Sequence, residues 1–522
     1  MAIGSTNHQT KTVLKKNTVI LAAFILLKFI LQYGLIGPEY ALHRDEYLHL
    51  DQGRHLAWGY ESVPPFTSWI SWLILQLGNG VFWVKFFPAL FGALTLLVVW
   101  KTVEMLKGNL FALVLSATAI TFSAILRINI LYQPNSFDIL CWTLFYFTLI
   151  KYVNSKNDKW IYAAALVFAF GFLNKYNIIF LAAGLFPALL LSEQRKLLLT
   201  RTFYFAAAIA LIIVSPNLLW QYQHHFPVVH HLKELADTQL ANVNRAGFLK
   251  EQLLFFFNSF FIVIAAFISF FTFPAFRKYH FLWWAYFFTI LIFTYLKAKS
   301  YYAIGLYPIF FAFGSVYLEI LLNKGWKLYL RPVLILFVVV LFLFPLKYIF
   351  PLLSPAEIAN KNKAFTSMGL LRWEDGKQHM LPQDFADMLG WNELAHKTDS
   401  IYASLPDKSH TLVLCDNYGQ TGAINYYSKQ KLQAVSFNAD YINWFPLDKM
   451  EIKNIILVKE SKDDDPGRET EKPFFEKVLP GGQIENKYAR EFGTKIYLLL
   501  NAKTDINSLL QQIINKRKKE QE

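Results

Sequence analysis

The run VFWVKFFPALFGALTLLVVWKTV, residues 81 to 103, is long and apolar enough to cross a bilayer, since a helix needs about 20 mostly apolar residues to span the hydrocarbon. Similar runs recur through the first 350 residues, at 17 to 36, 109 to 126, 136 to 150, 160 to 173, 177 to 192, 203 to 221, 249 to 274, 281 to 296, 303 to 322 and 332 to 350. With the first they make eleven candidate spans. The Trp-rich stretch from Phe66 to Gly78 falls below the threshold and is expected to lie along the membrane surface after Pro64-Pro65. Composition agrees: 55% of the 522 residues are hydrophobic and 17% charged, with a mean hydropathy of +0.30, where a soluble domain is about 25% charged. A soluble, disordered or collagen-like chain is excluded. The expected fold is a polytopic α-helical membrane protein of about 11 transmembrane helices, residues 1–350, with an outer loop at 37–80, followed by a soluble domain at 351–522.

The formal charge is +14, which alone suggests nucleic acid or an anionic surface as partner. Its distribution argues against nucleic acid. Residues 1 to 350 hold 28 Lys and Arg against 13 Asp and Glu, whereas 351 to 522 hold 23 against 24. Lys and Arg accumulate in cytoplasmic connections. With the N-terminus inside, every inside connection is basic, from Lys11, Lys15 and Lys16 through Lys101 and Lys107 to Lys324, Lys327 and Arg331. An odd number of spans then puts the C-terminal domain outside, in the periplasm if the membrane is a bacterial inner membrane. The terminal Lys516-Arg517-Lys518-Lys519 reads as a solvated tail. Cys141 and Cys415 lie in different environments and make no structural disulfide. No small-residue cleavage site follows the first apolar run, which reads as a retained span.

The same register gathers polar groups on the outer face. The first outer loop carries His43-Arg44-Asp45-Glu46-Tyr47; the next outer turn runs from Arg127 through Gln133-Pro134-Asn135-Ser136-Phe137-Asp138. Then come Asn174-Lys175-Tyr176, a loop with His224-His225 and His230-His231, and Lys297-Ala298-Lys299-Ser300-Tyr301-Tyr302. An ionisable group in a span costs about 2.5 to 3.5 kcal/mol at its centre, which makes such groups functional candidates. Each also has a plain reading. Lys175 and Lys299 suit interfacial anchors, Asp45-Glu46 a helix start, and Asp138 an N-cap or a partner of Arg127. The histidine pairs lack a clear carboxylate or Cys framework, so no metal site is assigned. No phosphate-binding loop or dinucleotide fingerprint is present.

Taken together, carboxylates and cations at one membrane face suit transfer from a lipid-linked phosphate. A carboxylate can take the proton from an attacking hydroxyl, and cations can stabilise the phosphate leaving group.

At these residues the chain resembles the GT-C superfamily of integral-membrane glycosyltransferases, specifically the bacterial glycosyltransferase family 39 group related to protein O-mannosyltransferases and aminoarabinose transferases. The resemblance rests on Asp45-Glu46-Tyr47 followed by Tyr60 to Phe66, on Gln133 to Asp138, on Gly171 to Tyr176, and on Lys299 to Tyr302 leading to Tyr307-Pro308. In the soluble part it rests on Leu389-Gly390-Trp391 and Asp416 to Ile424. It implies an inverting transfer from a polyprenyl-phosphate sugar to a lipid, glycan or protein acceptor of the envelope. On this chain it implies Asp45 as catalytic base with Glu46 beside it, and Asp138 as the second acidic position. It implies Lys175 and Lys299, with Arg127, at the donor phosphate, and Tyr302, Tyr301 and Tyr47 along the groove. Gln420-Thr421 depart from the pattern of many relatives, so that motif is given a structural role. No cofactor is indicated; a divalent metal, used by some GT-C enzymes and not by others, stays open.

In the soluble part, strands are expected at Thr411 to Cys415, Leu432 to Phe437, Asn454 to Val458 and Lys495 to Leu500, with a helix over Gly419 to Tyr427. This is a small α/β domain. A transporter or flippase of lipid-linked glycans is the competing reading. Transporters tend to carry inverted repeats and midplane sites, whereas here no internal repeat is found and the charges collect at one face.

Overall fold

The computed structural model describes residues 3–238 and 243–521. The chain forms two compact units: 1–36, 82–219 and 240–350 make the first, and 37–81, 220–239 and 351–522 the second.

The first unit is helical throughout. Among the described residues, Lys16–Gly34, Val81–Met105, Asn135–Ser155, Arg201–Gln223 and Gly325–Leu343 have the length and apolar character of a span. Two bent pairs meet the same test jointly: Ile178–Leu190 with Glu193–Leu199, at 112°, and Ser300–Leu306 with Pro308–Leu321, at 50°. Leu110–Thr121, Lys159–Asn174, Phe260–Thr272 and Phe281–Tyr295 are shorter apolar helices. All the apolar runs read from the sequence are thus helical, but several are broken. The run 249 to 274 is divided between Arg245–Leu254 and Phe260–Thr272. Several polar side chains inside the unit bond to backbone, as lipid offers them no water. Thr143 Oγ1 donates to Ile139 O (2.7 Å), and Asn258 Nδ2 to Phe122 O (2.7 Å) and Val338 O (2.9 Å). Gly314 lets Pro308–Leu321 approach the Ile262 carbonyl of Phe260–Thr272, where a β-carbon would collide.

The second unit is built on a five-stranded sheet of β1 (Thr411–Cys415), β2 (Ala434–Ser436), β3 (Asn454–Lys459), β4 (Phe475–Gln483) and β5 (Lys495–Ala502), in the order β2-β1-β3-β5-β4. β1 pairs parallel with β2 and β3; β5 runs antiparallel between β3 and β4. β1 is buried along its whole length, which suits a parallel strand covered on both faces. One face carries Leu412, Leu414, Ile455, Leu457, Tyr497 and Leu499 into a core closed by Ile506 and Leu510 of the C-terminal helix, Ile506–Gln521. β4 was not anticipated from the sequence. It is a largely exposed edge strand with Pro480-Gly481-Gly482 and a register shift between Pro480 and Gly482, so apolar alternation is lost there.

Segment 37–81 folds as part of this sheet-containing unit. Ala41 N donates to Met388 O (2.9 Å) and Arg44 N to Asp387 O (3.1 Å). The helix Arg44–Gln52 packs on the helix Tyr418–Tyr427 at Gly422, where a β-carbon would stand 2.6 Å from Tyr47 Cβ. Two carboxylates complete the joint. Asp51 accepts from Asn425 Nδ2 (2.7 Å) and Tyr441 OH (2.8 Å), and Asp440 accepts from Gln52 Nε2 (2.8 Å) and Glu61 N (2.8 Å).

A buried donor stripped of its acceptor costs about 1–3 kcal/mol, so Asp440→Ala is expected to lower stability by about 2 kcal/mol or more. A thermal midpoint in detergent equal to that of the parent would contradict this account of the joint.

Candidate functional site

The acidic loop motif belongs to the sheet-containing unit. Arg44–Gln52 begins at His43, whose N–H donates to Glu46 Oε2 (2.6 Å). That capping box uses the Glu46 carboxylate, and Glu46 is fully buried. The Asp45 side chain is 35% exposed, so it can be reached from solvent. Tyr418 OH donates to Asp45 Oδ1 (2.7 Å), and His43 Nδ1 stands 3.7 Å from Asp45 Oδ2. The Arg44 guanidinium lies over the Tyr418 ring, 4.4 Å from its centre. Burial pushes the Asp45 carboxyl up, but His43, Arg44 and the Tyr418 hydrogen bond outweigh it and hold the group below its ordinary range.

Behind Asp45 stands a second carboxylate, Asp387. It is 3.5 Å from His43 Nε2 and 3.1 Å from Arg490 Nη1. Burial alone would lower the His43 pKa, yet Asp45, Asp387 and Asp384 raise it to about 9. The ring has two exclusive roles. Neutral, Nδ1 can accept the Asp45 N–H at 3.2 Å; charged, it faces both carboxylates, and with three acids around it the charged role prevails. Tyr47 is fully buried, its OH donating to Leu42 O (3.0 Å) with Tyr427 OH 3.3 Å away, and it packs on Trp391. It is a core residue of this unit and lines no open groove. Asn417 caps the helix Tyr418–Tyr427, and Gln420 Nε2 donates to Glu491 Oε2 (2.6 Å).

The histidine pair at 230–231 meets one carboxylate three residues on, Glu234, and one far away in sequence, Glu61. Glu61, His231 and Glu234 each offer a ligand atom, all within 4.8 Å of one another. Burial first, then Asp440 and Glu234, push the Glu61 carboxyl up to about 7. Among the described residues, these three side chains form the group that could hold a divalent cation.

In the helical unit, the turn before Asn135–Ser155 and the turn before Ile178–Leu190 meet. Asp138 accepts from Trp142 Nε1 (2.9 Å) and Asn177 Nδ2 (3.0 Å), and Asn177 Nδ2 also donates to Tyr302 O (2.9 Å). Lys175 Nζ donates to Asn135 Oδ1 (2.7 Å) and sits over the rings of Tyr302 (4.1 Å) and Tyr301 (5.2 Å). Asp138, Lys175, Tyr301 and Tyr302 are therefore brought together. Lys299 is on the same turn, its carbonyl accepting Tyr302 N–H (3.0 Å). Arg127 lies in the last turn of the short helix Ala124–Ile128, two residues before Asn129. Asn129 accepts from Lys28 Nζ (2.8 Å) and donates to Ser136 Oγ (2.9 Å). Lys28 is fully buried and was not singled out in the sequence, where it lies inside an apolar run. Tyr418, Asp387 and Asn177 were also missed as partners; Tyr418 is 373 residues from the carboxylate it binds.

The fold has known counterparts. The crystal structure of ArnT from Cupriavidus metallidurans bound to undecaprenyl phosphate matches with a TM-score of 0.59 at 12% identity, covering 92% of this chain and 97% of that one; its apo form matches at 0.58. The chain has an ArnT-like fold, and its apolar helices make it a multi-pass membrane protein. Sequence comparison agrees with the family 39 resemblance. A family model described as dolichyl-phosphate-mannose-protein mannosyltransferase matches residues 62–220. The lipid A galacturonosyltransferase RgtD of Rhizobium johnstonii is 26% identical over 225 residues, covering 42% of this chain and 46% of that protein. The lipopolysaccharide core galacturonosyltransferase RgtB of the same organism is 27% identical over 217 residues, 38% of this chain and 41% of that protein. The matched stretch spans less than half the length of either relative.

If the His231 group takes a cation, zinc or manganese is expected to raise the thermal midpoint of the metal-stripped full chain, and Glu61→Gln or His231→Ala to abolish the increment. An increment that both variants retain would place the cation elsewhere.

Proposed function

We propose that this protein transfers a sugar from a polyprenyl-phosphate carrier to an envelope acceptor on the outer face of the membrane, with inversion at the anomeric carbon. One observation carries the reading: a solvent-reachable carboxylate, Asp45, held ionised by His43, Arg44 and Tyr418. In the step, the acceptor oxygen bonds to the anomeric carbon as the carbon–oxygen bond to phosphate breaks. The hydroxyl proton passes to Asp45, and the phosphate leaves with one more negative charge. Glu46 supports the step by capping the helix that presents Asp45.

The growing charge on the phosphate calls for cations. The proposal gives that role to Lys175, held by Asn135 and the face of Tyr302, and assigns Lys299 and Arg127 to assist it. Asp138, fixed by Trp142 and Asn177, orients the acceptor or supports the base. Residues 1–350 act as the membrane catalytic domain, with loop 37–80 supplying the base and 351–522 as the outer domain. The basic inside connections support a cytoplasmic N-terminus and a periplasmic C-terminal domain. The galacturonosyl relatives make a uronic acid and an envelope glycolipid the first donor sugar and acceptor to assay.

Asp45→Asn is expected to reduce transfer at least 100-fold, the lower end of general-base contributions, with normal membrane insertion. Near-normal turnover would remove Asp45 as the base. Lys175→Met is expected to lower kcat by about tenfold or more, the scale of one charge-assisted hydrogen bond. The Tyr418 hydrogen bond favours the charged form of Asp45; without it the Asp45 pKa rises. Tyr418→Phe is therefore expected to move the acid limb of kcat/KM to higher pH. A limb that stays put or moves down would show that another group titrates there.

A further inference from the structure

The first apolar helix carries a lysine, Lys28, that is fully buried in the helical unit. An ionisable side chain inside a span is costly to keep and marks a functional group by default. We propose that Lys28 is a positioning residue for the carrier-phosphate site: through Asn129 and Ser136 it fixes the turn that presents Asn135 to Lys175. This deepens the transferase reading and rests on the place that reading gives Lys175.

The connection is continuous. Lys28 Nζ donates to Asn129 Oδ1 (2.8 Å), and Asn129 Nδ2 donates to Ser136 Oγ (2.9 Å). Asn129 and Ser136 are both buried, so water does not substitute for either bond. Ser136 follows Asn135, whose Oδ1 accepts from Lys175 Nζ (2.7 Å) and whose Nδ2 donates to Gln133 Oε1 (2.9 Å). On the same turn, Pro134 O accepts from Asn174 Nδ2 (2.9 Å). Two lysines thus hold one turn, each through the side-chain oxygen of an asparagine. Lys28 reaches it across 101 residues of sequence and Lys175 across 40.

The packing is shaped for this contact. A β-carbon on Gly92 of Val81–Met105 would stand 2.2 Å from Asn129 Oδ1 and 2.3 Å from Lys28 Cε, so the glycine makes the room in which the two side chains meet. Among the described residues, the acceptor of Lys28 is a neutral amide and no carboxylate pairs with it. An anchor that served packing alone could be an apolar side chain, with no polar group to satisfy. The amide explains the lysine. Asn129 uses its oxygen on Lys28 and its nitrogen on Ser136, and an amide bonded at both ends keeps one orientation. Without Lys28 the Asn129 oxygen becomes a buried acceptor with nothing to accept, and the turn shifts to satisfy it. Gln32 separates this tether from the helix face that bears it. It lies one turn further along the same helix and is buried, yet neither of its amide atoms is hydrogen-bonded among the described residues.

The test uses the full chain in zwitterionic nanodiscs with undecaprenyl phosphate as probe, the form in which such a carrier leaves after transfer, so binding is read without turnover. Lys175→Met is expected to weaken probe binding about tenfold. Lys28→Met is expected to weaken it about fivefold. Gly92→Ala, which displaces the tether while keeping every charge and donor, is expected to do the same. In Lys175→Met protein, Lys28→Met is expected to add less than about twofold, because the tether acts through Lys175. Gln32→Leu is expected to bind like the parent. In transfer assays Lys28→Met is expected to lower kcat and to leave the acid limb of kcat/KM in place, since that limb belongs to Asp45. Losses that multiply in the double variant, or an equal loss in Gln32→Leu, would overturn the proposal. With binding weakened by Lys175→Met, parental affinity in Lys28→Met and Gly92→Ala would overturn the proposal alone; a lowered thermal midpoint would then make Lys28 a structural anchor. If no transfer is found but the binding pattern holds, the transferase reading fails and the positioning role stands.

Discussion

Two buried carboxylates, Asp51 and Asp440, join an early loop to a late domain. Each accepts two donors from the opposite side of the joint, and the helix that carries Asp45 owes its position to them. Hydrogen bonds to ionised acceptors are stronger than neutral ones, and burial removes water as a substitute partner. The electrostatic surroundings of Asp45 follow from this joint. Tyr418, Asp387 and Arg490 all come from the late domain, and they can act on the loop only because the loop is folded into it. Asp387 then serves twice, receiving the Arg44 N–H through its carbonyl and His43 through its carboxylate.

The helical unit meets a different constraint. Inside lipid a charged or polar group has to find its partner within the protein. Lys28 bonds to Asn129, Asn129 to Ser136, and Lys175 to Asn135. These chains converge on the turn that opens Asn135–Ser155, whose first turn carries Asp138. Asparagine recurs because its amide both donates and accepts. It can accept from a lysine and donate to a hydroxyl or carboxylate with no net charge of its own.

The membrane helices were legible because hydropathy over a long run is a local property. Placing the polar clusters on the outer face is an expectation from the alternation of basic connections. Most of the soluble strands were legible for a similar reason, since β1 and β3 are apolar along their length. β4 was not, because an exposed edge strand lacks the alternation that marks a half-buried one. The partners of Asp45 were also hidden. His43 and Arg44 stand next to it in sequence, but Tyr418 and Asp387 arrive only through tertiary folding. The second histidine pair reads as lacking a clear carboxylate framework because Glu234, three residues on, is one carboxylate alone, and only folding brings the distant Glu61 to His231. Glu46 and Tyr47 show the opposite limit. Adjacency to Asp45 suggested a shared task, whereas one caps the helix and the other fills the core.

The register shift at Pro480 and Gly482 in the outermost strand bears on how the protein keeps company with its own copies. A straight, regular edge strand presents a free row of backbone donors and acceptors on which another sheet can add. Proline removes one donor, and the shift interrupts the ladder. Copies of this protein confined to one membrane plane meet far more often than they would in three dimensions. The irregular edge protects the sheet against joining a neighbour's while leaving its own five strands paired.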